Sequence, residues 1–295
     1  MVSMNRLSTE QRARIIGCLV EGNSIRATCR LTGAAKGTVT KLIIDLGEAC
    51  SAYQDKTLRN LTCERIQLDE IWSFVGAKKK NVDPERHNDD YGDAWTFTAL
   101  DPDTKLVPSW FVGARTADDA WEVLTDLRGR LANRVQMSTD GHEMYLTTVP
   151  EAFEDDIDYA QVVKHYGRKP ADPANHRYSP APCVTVTINK VSGAPDPAHI
   201  STSLVERQNL TIRMSMRRFT RLTNAFSKKL GNLTAAVSLH FCYYNFARPH
   251  MALTRAANHV PTTPAMAAGV ADHVWTLAEI AVLLDHNEHS VGNSN

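Results

Sequence analysis

The sequence predicts a mixed α/β domain preceded by a small unit that is all helical. Apolar residues recur at helical spacing through the first fifty residues, and the spacing changes to two from Ile66 onward. Beyond Ile66 the pattern indicates three strands, a helix, another strand and then further helices. That order is typical of a mixed sheet flanked by helices.

Three short helices are predicted within residues 1–50. Ser8 and Gln11 have the spacing of a capping box, and Ser24 stands where it would cap a second helix. A turn containing Gly33 separates that helix from a third at 36–46, which is a helix-turn-helix pattern. The third helix would then present four residues to a DNA major groove: Lys36, Thr38, Thr40 and Lys41. The alternative is a three-helix bundle that serves only in packing.

The rest of the chain divides by composition and periodicity. Strands are predicted at 66–74, 95–100, 106–112, 135–139 and 159–165, with a helix between Thr116 and about residue 131. Residues 167–200 are rich in Pro, Gly, Ala and Ser and are interpreted as an insertion that could contain a strand at 183–188. Helices follow at 203–219, at 232–246 and from Thr276 onward. The predicted units are a helix-turn-helix domain (1–50), a linker (51–64), an α/β domain (65–250) and a helical tail (251–295).

Charge is distributed unevenly along the chain. The 295 residues carry 33 basic and 33 acidic side chains, and the formal net charge is therefore zero. By segment, however, residues 1–60 carry +4, 61–165 carry −10, 166–255 carry +10 and 256–295 carry −4. Separated fields of this kind are compatible with a nucleic-acid partner, whereas the net charge alone would argue against one. Solvated faces of differing sign are the alternative.

Several classes of protein lack support in the sequence. The six cysteines contain no Cys-x-x-Cys pair, the histidines form no His-Glu-x-x-His motif, and no Gly-x-Ser-x-Gly elbow or Gly-rich phosphate loop occurs. No stretch has the pattern of a signal peptide or the length of a membrane span. We therefore expect a cytoplasmic protein with reduced thiols and no membrane partner.

Three carboxylates stand out by position. Asp69 lies in the middle of an apolar strand, Asp140 ends a strand before Gly141, and Glu206 is the only acid between Asp196 and Asp272. Two strand carboxylates and one helix carboxylate could hold two Mg²⁺ ions through oxygen ligands. Such an ion pair promotes in-line displacement at a phosphodiester.

Each carboxylate also has a structural interpretation. Asp69 could be an ion-paired core acid, Asp140 a turn former, and Glu206 a partner of Ser203 in a capping box. Glu70 is expected to point to the opposite face of the strand and is the weaker candidate.

Basic residues dominate the segment around and after Glu206. Arg213, Arg217 and Arg221 are predicted to form a stripe along one helix, a pattern that suits contact with a nucleic-acid backbone. The predicted phosphate-binding residues are Arg213, Arg217, Arg221, Lys228 and Lys229.

Five motifs follow one another along the chain: IQLDEIWSF (66–74), STDGH (138–142), STSLVERQNLT (201–211), RLTNAFSKK (221–229) and YNFARPH (244–250). Together they resemble insertion-sequence transposases of the DDE type, particularly the insertion-sequence-one group. The resemblance covers roughly residues 60–270. It implies an RNase H-like catalytic domain in which Asp69, Asp140 and Glu206 form the catalytic and metal-binding triad.

The same resemblance implies an activity and its partners. The activity would be strand cleavage and strand transfer, dependent on two Mg²⁺ or Mn²⁺ ions, at the terminal inverted repeats of an insertion sequence. The partners would be double-stranded DNA, as ends and as target, and further copies of the chain, which implies a bacterial nucleoid-associated location.

Two features depart from the family pattern. The interval between Asp140 and Glu206 is long, and the cysteine zinc motif that some members carry before the helix-turn-helix is missing. End recognition would therefore rest on residues 8–47 without a metal.

His142 and His250 are possible accessory residues, through contact with phosphate or a metal-bound water. Two other functions remain open. A helix-turn-helix regulator would bind DNA without cutting it, and an RNase H-like nuclease would cut DNA without joining it.

Overall fold

The computed structural model describes residues 7–83, 91–167, 181–220 and 224–292. Six strands lie within these ranges: β1 Arg65–Val75, β2 Gly92–Leu100, β3 Ser109–Gly113, β4 Gln136–Asp140, β5 Asp158–Tyr166 and β6 Cys183–Ser192. The α-helices of the same ranges are α1 Thr9–Val20, α2 Ile25–Thr32, α3 Lys36–Thr57, α4 Ala117–Arg128, α5 Met144–Ala152, α6 Ser203–Ser215, α7 Leu230–Cys242, α8 Met251–Ala256, α9 Pro264–Ala267 and α10 Leu277–Gly292.

The six strands form one mixed sheet in the order β3-β2-β1-β4-β5-β6. β1 pairs antiparallel with β2 and parallel with β4, and β5 is parallel to β4 and antiparallel to β6. Helices α4 and α5 connect the strands that run parallel. The prediction of a mixed α/β sheet flanked by helices is therefore confirmed. The strand predicted at 183–188 is longer than expected and forms an edge of the sheet, while residues 168–180 of the predicted insertion lie outside the described ranges.

Helices cover both faces of β1, the most central long strand. On one face, the Gln67 side-chain oxygen accepts hydrogen bonds from the backbone amides of Leu204 and Val205, at 3.0 Å each, which fixes the start of α6. On the other face, the Tyr145 hydroxyl of α5 donates to Glu70 at 2.8 Å. Alternate residues of β1 therefore meet different helices, as the period of a strand requires.

The N-terminal helices begin as predicted, but the third is longer. Ser8 and Gln11 form a capping box on α1, and Ser24 caps α2 through the amide of Ala27. The sequence prediction ended the third helix at residue 46, whereas α3 continues to Thr57. The predicted linker is consequently helical over 51–57, because Gln54 lies buried in the continuing face and donates to the carbonyl of Ser238 in α7.

Two other helices are shorter than predicted. α6 stops at Ser215, Met216 is extended, and a separate 3₁₀ turn spans Arg217–Phe219. α7 stops at Cys242 and passes into a π-helical turn, Tyr243–Ala247. Because α6 ends before Arg217, the expected continuous helical stripe from Arg213 through Arg217 is wrong, and Arg221 lies outside the described residues.

The C-terminal helix packs against the N-terminal ones. Thr276 and Glu279 form the predicted capping box, with the Glu279 amide donating to Thr276 Oγ1 at 3.2 Å. Arg12 of α1 is buried and donates to the Ala281 carbonyl and to the Asp285 carboxylate, which lies 3.0 Å away. In the part of the chain described here, no helix combines the length and apolar character needed to cross a membrane.

Candidate active site

The register of β1 and β4 brings two of the predicted carboxylates side by side. Leu68 pairs with Thr139 across these parallel strands, so Asp69 and Asp140 follow as the next residues on each strand. Residues that pair in this way point to the same face of a sheet. The face is the one to which Gln67 anchors α6, the helix that carries Glu206.

Asp69 is partly buried and held by two hydrogen bonds. Its Oδ1 accepts from the backbone amide of Glu70 at 2.9 Å, and its Oδ2 accepts from the Asn209 side-chain amide at 2.8 Å. Burial, together with the negative charges of Glu70, Asp140 and Glu206, raises the pKa of Asp69 to about 7. Burial is the main cause of this pKa shift, and the neighbouring carboxylates add to it.

Asp140 lies at the end of β4, where the chain turns. Its Oδ1 accepts the backbone amide of His142 at 3.0 Å. Gly141 allows β5 to pack closely here, because a Cβ at this position would lie 2.9 Å from the Val163 side chain. On its other side Asp140 Oδ2 lies 3.7 Å from the Arg115 guanidinium.

Glu206 lies in the first turn of α6 but does not form the capping box that Ser203 offered. The N-cap is Thr202, which makes no capping hydrogen bond. The Glu206 carboxylate instead accepts from the Thr202 hydroxyl at 2.7 Å and forms an ion pair with Lys164 of β5. Glu206 is therefore directed toward the sheet, where its negative charge contributes to the raised pKa of Asp69.

Glu70 is more involved than the sequence suggested. It does point to the opposite face of β1, but there it is buried, accepts from the Tyr145 hydroxyl and pairs with Arg115. Burial first, and then the charge of Asp140, raises the pKa of Glu70. Arg115 contacts both Glu70 and Asp140 and therefore links the two faces at this end of the sheet.

Sequence reasoning missed four residues of the site: Arg115, Tyr145, Lys164 and Asn209. Asn209 carried a detectable signal, since it lies three residues after Glu206 and shares its helix face. The other three come from separate elements, and their spacing along the chain gives no indication of their proximity.

The predicted accessory histidines differ in their surroundings. The His142 backbone lies against Asp140, while its ring packs edge-on to Tyr145 with centroids 6.3 Å apart. His250 occupies the N-cap position of α8 without a side-chain capping bond, and burial followed by nearby positive charges lowers its pKa. Within the described residues, no hydrogen bond or ion pair joins the His250 side chain to the three carboxylates.

The predicted DNA-binding residues that the structure describes lie in two groups. Lys36, Thr38 and Thr40 lie in the first turns of α3, while Lys41 pairs with Asp45 at 2.8 Å. Arg217, Lys228 and Lys229 are exposed in the segment between α6 and α7, and Arg213 lies in the last turn of α6.

The donor atoms around Asp69 suit a hard divalent cation. Carboxylate oxygens are the ligands that Mg²⁺ and Mn²⁺ prefer. Asn209 Oδ1, on the same amide that binds Asp69, is a buried oxygen that lacks a hydrogen-bond partner among the residues that the structure describes. As the side chains stand, however, no group of three or more His, Cys, Asp and Glu residues in the described ranges lies close enough to share an ion.

Comparison with known proteins gives structural likenesses only. No protein-family model matches the chain, and no curated protein does so significantly. The chain is similar to the piggyBac transposase in a synaptic complex with hairpin DNA, at 11% identity and a TM-score of 0.42, over 98% of this chain and 74% of that one. It is also similar to the Mos1 mariner transposase in a paired-end complex with Mn, at 11% identity and a TM-score of 0.28, over 81% and 78%. A Mos1 strand transfer complex matches at 13% identity and a TM-score of 0.24, over 82% and 79%.

Proposed function

We propose that the chain is a DDE transposase that cleaves and joins DNA strands at the terminal inverted repeats of an insertion sequence. One observation carries the proposal. Asp69 and Asp140 are adjacent on parallel strands, on the face that receives Glu206, and burial together with the charges of Glu70, Asp140 and Glu206 raises the pKa of Asp69 to about 7. Such concentrated negative charge is costly in the free protein and favours a bound cation.

Asp69, Asp140 and Glu206 would hold two Mg²⁺ or Mn²⁺ ions. Ions bound there would activate the attacking water or hydroxyl and stabilise the leaving oxygen of the phosphodiester. Asn209 orients Asp69 through its amide N–H, and Gln67 keeps the first turn of α6, with Glu206, against β1.

Two cations of the chain itself balance the carboxylates in the free protein. Lys164 pairs with Glu206, and Arg115 pairs with Glu70 while lying near Asp140. Lys164 would have to leave Glu206 before that carboxylate could bind a metal ion. Arg115 is buttressed by the Trp95 ring, 4.6 Å from its guanidinium carbon, and would remain to contact a phosphate at the edge of the site.

DNA would contact the two basic groups at the surface. Lys36, Thr38, Thr40 and Lys41 would read the inverted repeat in the major groove, while Arg213, Arg217, Arg221, Lys228 and Lys229 would bind phosphates. Joining two ends to one target would require at least two copies of the chain on DNA.

The test uses D69N, D140N and E206Q in an assay with labelled duplexes carrying the ends of the element and a supercoiled target plasmid. Each substitution should lower Mg²⁺-dependent cleavage and joining by about 10³-fold, because a metal ligand contributes several kcal/mol to the transition state. DNA affinity should change little. The matched control is E143Q, since Glu143 is an exposed acid three residues after Asp140 and makes no capping bond.

The outcomes separate the three functions. Cleavage and joining that disappear in the three variants but persist in E143Q support the transposase. Cleavage without joining would indicate a nuclease, and specific binding without metal-dependent cleavage would indicate a regulator. Near-normal cleavage by E206Q would show that Glu206 is wrongly placed in the triad.

A further inference from the structure

A basic cleft separates the helix-turn-helix from the segment between α6 and α7. Its volume is about 690 Å³, and its described lining comes from α2, the start of α3, the 3₁₀ turn after α6 and residues 224–232. Five cationic side chains line it: Arg26, Lys36, Arg217, Arg218 and Lys228. None of its described lining residues is acidic.

The charges of the cleft are not balanced by nearby carboxylates. No ion pair joins these five cations to an acid within the ranges that the structure describes. Cations gathered from two parts of the molecule in a concave surface focus a positive potential there. The cleft therefore has the electrostatic character of an anion-binding site and a size well beyond that of one small ion.

Arg218 is the most informative of the five residues. The hydrophobic side chains of Met216 and Phe219 on either side of it are buried, and they hold the turn that carries Arg218 against the protein. Its guanidinium donates to the Ser227 hydroxyl at 2.9 Å, and burial lowers its pKa to about 10. A partly buried guanidinium that pairs with no carboxylate in the described ranges is costly, and an anionic ligand would offset that cost.

We propose that this cleft binds the phosphate backbone of duplex DNA, with Arg218 as its anchor and Arg26 as a second contact. The site joins the two predicted DNA-binding groups into one surface, because Lys36 of the recognition helix lies in it together with Arg217 and Lys228. The inference rests on the proposed function in one respect only, namely that DNA is the substrate.

A close packing contact reinforces this link between the DNA-reading helices and the active site. Gly22, in the turn between α1 and α2, lies against the end of α6, where a Cβ would be 2.8 Å from the Met214 carbonyl oxygen. Helix α6 carries Glu206 at its other end. A strand bound in the cleft would therefore be held at a set distance from the carboxylates.

The experiment measures how DNA affinity depends on salt. Fluorescence anisotropy with R26Q and R218Q should give slopes of log K against log salt that are less steep by about 0.9 for each lost phosphate contact. Affinity at fixed salt should fall roughly five- to tenfold, equally for an inverted-repeat duplex and a scrambled duplex. R218K should retain part of the affinity, since it keeps the charge but loses the planar donor fork.

R30Q is the matched control, because Arg30 is an exposed arginine on the same short helix as Arg26 and does not line the cleft. Its slope should equal that of the wild-type chain. Slopes equal to that of the wild-type chain in both R26Q and R218Q would overturn the proposal. If R218Q strongly lowers the melting temperature, the slope of R26Q is the test. A different result is that inorganic phosphate raises the melting temperature of the wild-type chain but not of R218Q, while the salt dependence of DNA binding stays the same in both. That result would show a site for small anions and would also overturn the proposal.

The result does not depend on catalysis. If the salt slopes change as expected while D69N cleaves DNA normally, the cleft is supported as a DNA-binding site and the proposed catalytic triad is refuted. If the slopes stay constant while D69N loses cleavage, the triad stands and the cleft is refuted.

Discussion

Asp69 and Glu70 show how neighbouring residues of one strand take different roles. Asp69 faces α6 and Asn209, whereas Glu70 faces Tyr145 and Arg115 on the other side of the sheet. The alternation of β1 predicts this separation from the sequence alone. It does not predict that Glu70 is buried beside a cation, because Arg115 and Tyr145 lie 45 and 75 residues away along the chain.

His240 offers a test of acid sensitivity at a single residue. Burial, with a smaller contribution from Arg248, lowers its pKa from 6.5 to about 3, and both ring nitrogens lack hydrogen-bond partners among the described residues. Between those pH values the unfolded chain binds a proton that the folded protein excludes. Excluding this proton from His240 therefore costs no stability above about pH 6.5, and the free energy of unfolding decreases as the pH falls below that value.

The predicted effect of H240L is a weaker loss of stability in acid. The free energy of unfolding is measured with urea at pH 7.5 and at pH 5.0. Between these values we expect it to fall by about 2 kcal/mol less in H240L than in wild type, because a proton excluded from the folded state costs about 1.4 kcal/mol for each of the roughly 1.5 pH units below 6.5. H259N is the control, since His259 is exposed and adopts the left-handed backbone that Asn tolerates. Equal losses of unfolding free energy in H240L and wild type would contradict the lowered pKa of His240.

At the scale of elements, the contact between α3 and α7 positions the N-terminal helices on the α/β core. Gly47 of α3 allows close approach, because a Cβ there would lie 2.5 Å from the Ala235 Cα of α7. The Ser238 hydroxyl donates to the Gly47 carbonyl at 2.7 Å and fixes the register of the pair. Periodicity predicted α3 up to residue 46 but gave no reason to extend it across 47–57, where Gly47 and Gln54 contact α7.

G47A should destabilise the protein by about 1–3 kcal/mol, because the added methyl group forces the two helices apart. G37A provides a matched control within the same helix, where a Cβ would meet no atom within 4 Å. Alanine there should raise stability by up to about 1 kcal/mol through its higher helix propensity. Denaturant unfolding measures both variants, and a neutral G47A would show that α3 and α7 do not pack this closely.

At the scale of the whole molecule, the units predicted from composition share one packing arrangement. α3 packs on α7, and α10 packs on α1 through Arg12 and Asp285. The first and last parts of the chain therefore cover surfaces of the α/β unit and of each other. The division into 1–50, 51–64, 65–250 and 251–295 remains a prediction about sequence units, with contacts that cross its boundaries.

A fragment of residues 65–250 should consequently fail to fold cooperatively. Removing α3 and α10 exposes apolar residues of α7 such as Ala235 and Ala236, which are buried in the full chain. Circular dichroism on heating should show a broad or absent transition, and amide NMR signals should be poorly dispersed. A sharp transition with dispersed signals, comparable to the full chain, would establish 65–250 as an independent domain.

Local order along the chain is enough to predict the caps at Ser8, Ser24 and Thr276, the alternation of β1, the mixed sheet and the uneven distribution of charge. It gave the wrong cap for α6, where Thr202 takes the place expected of Ser203. It also indicates Asp69 and Glu206, because an acid is conspicuous in an apolar strand or a basic helix, and Asp140, because it ends a strand before Gly141. Contacts between distant elements establish which cations face these acids, that Asn209 holds Asp69, and that Arg26 and Arg218 share one cleft. Periodicity reflects each element's own geometry, whereas these contacts join elements whose separation along the chain carries no information about their distance in space.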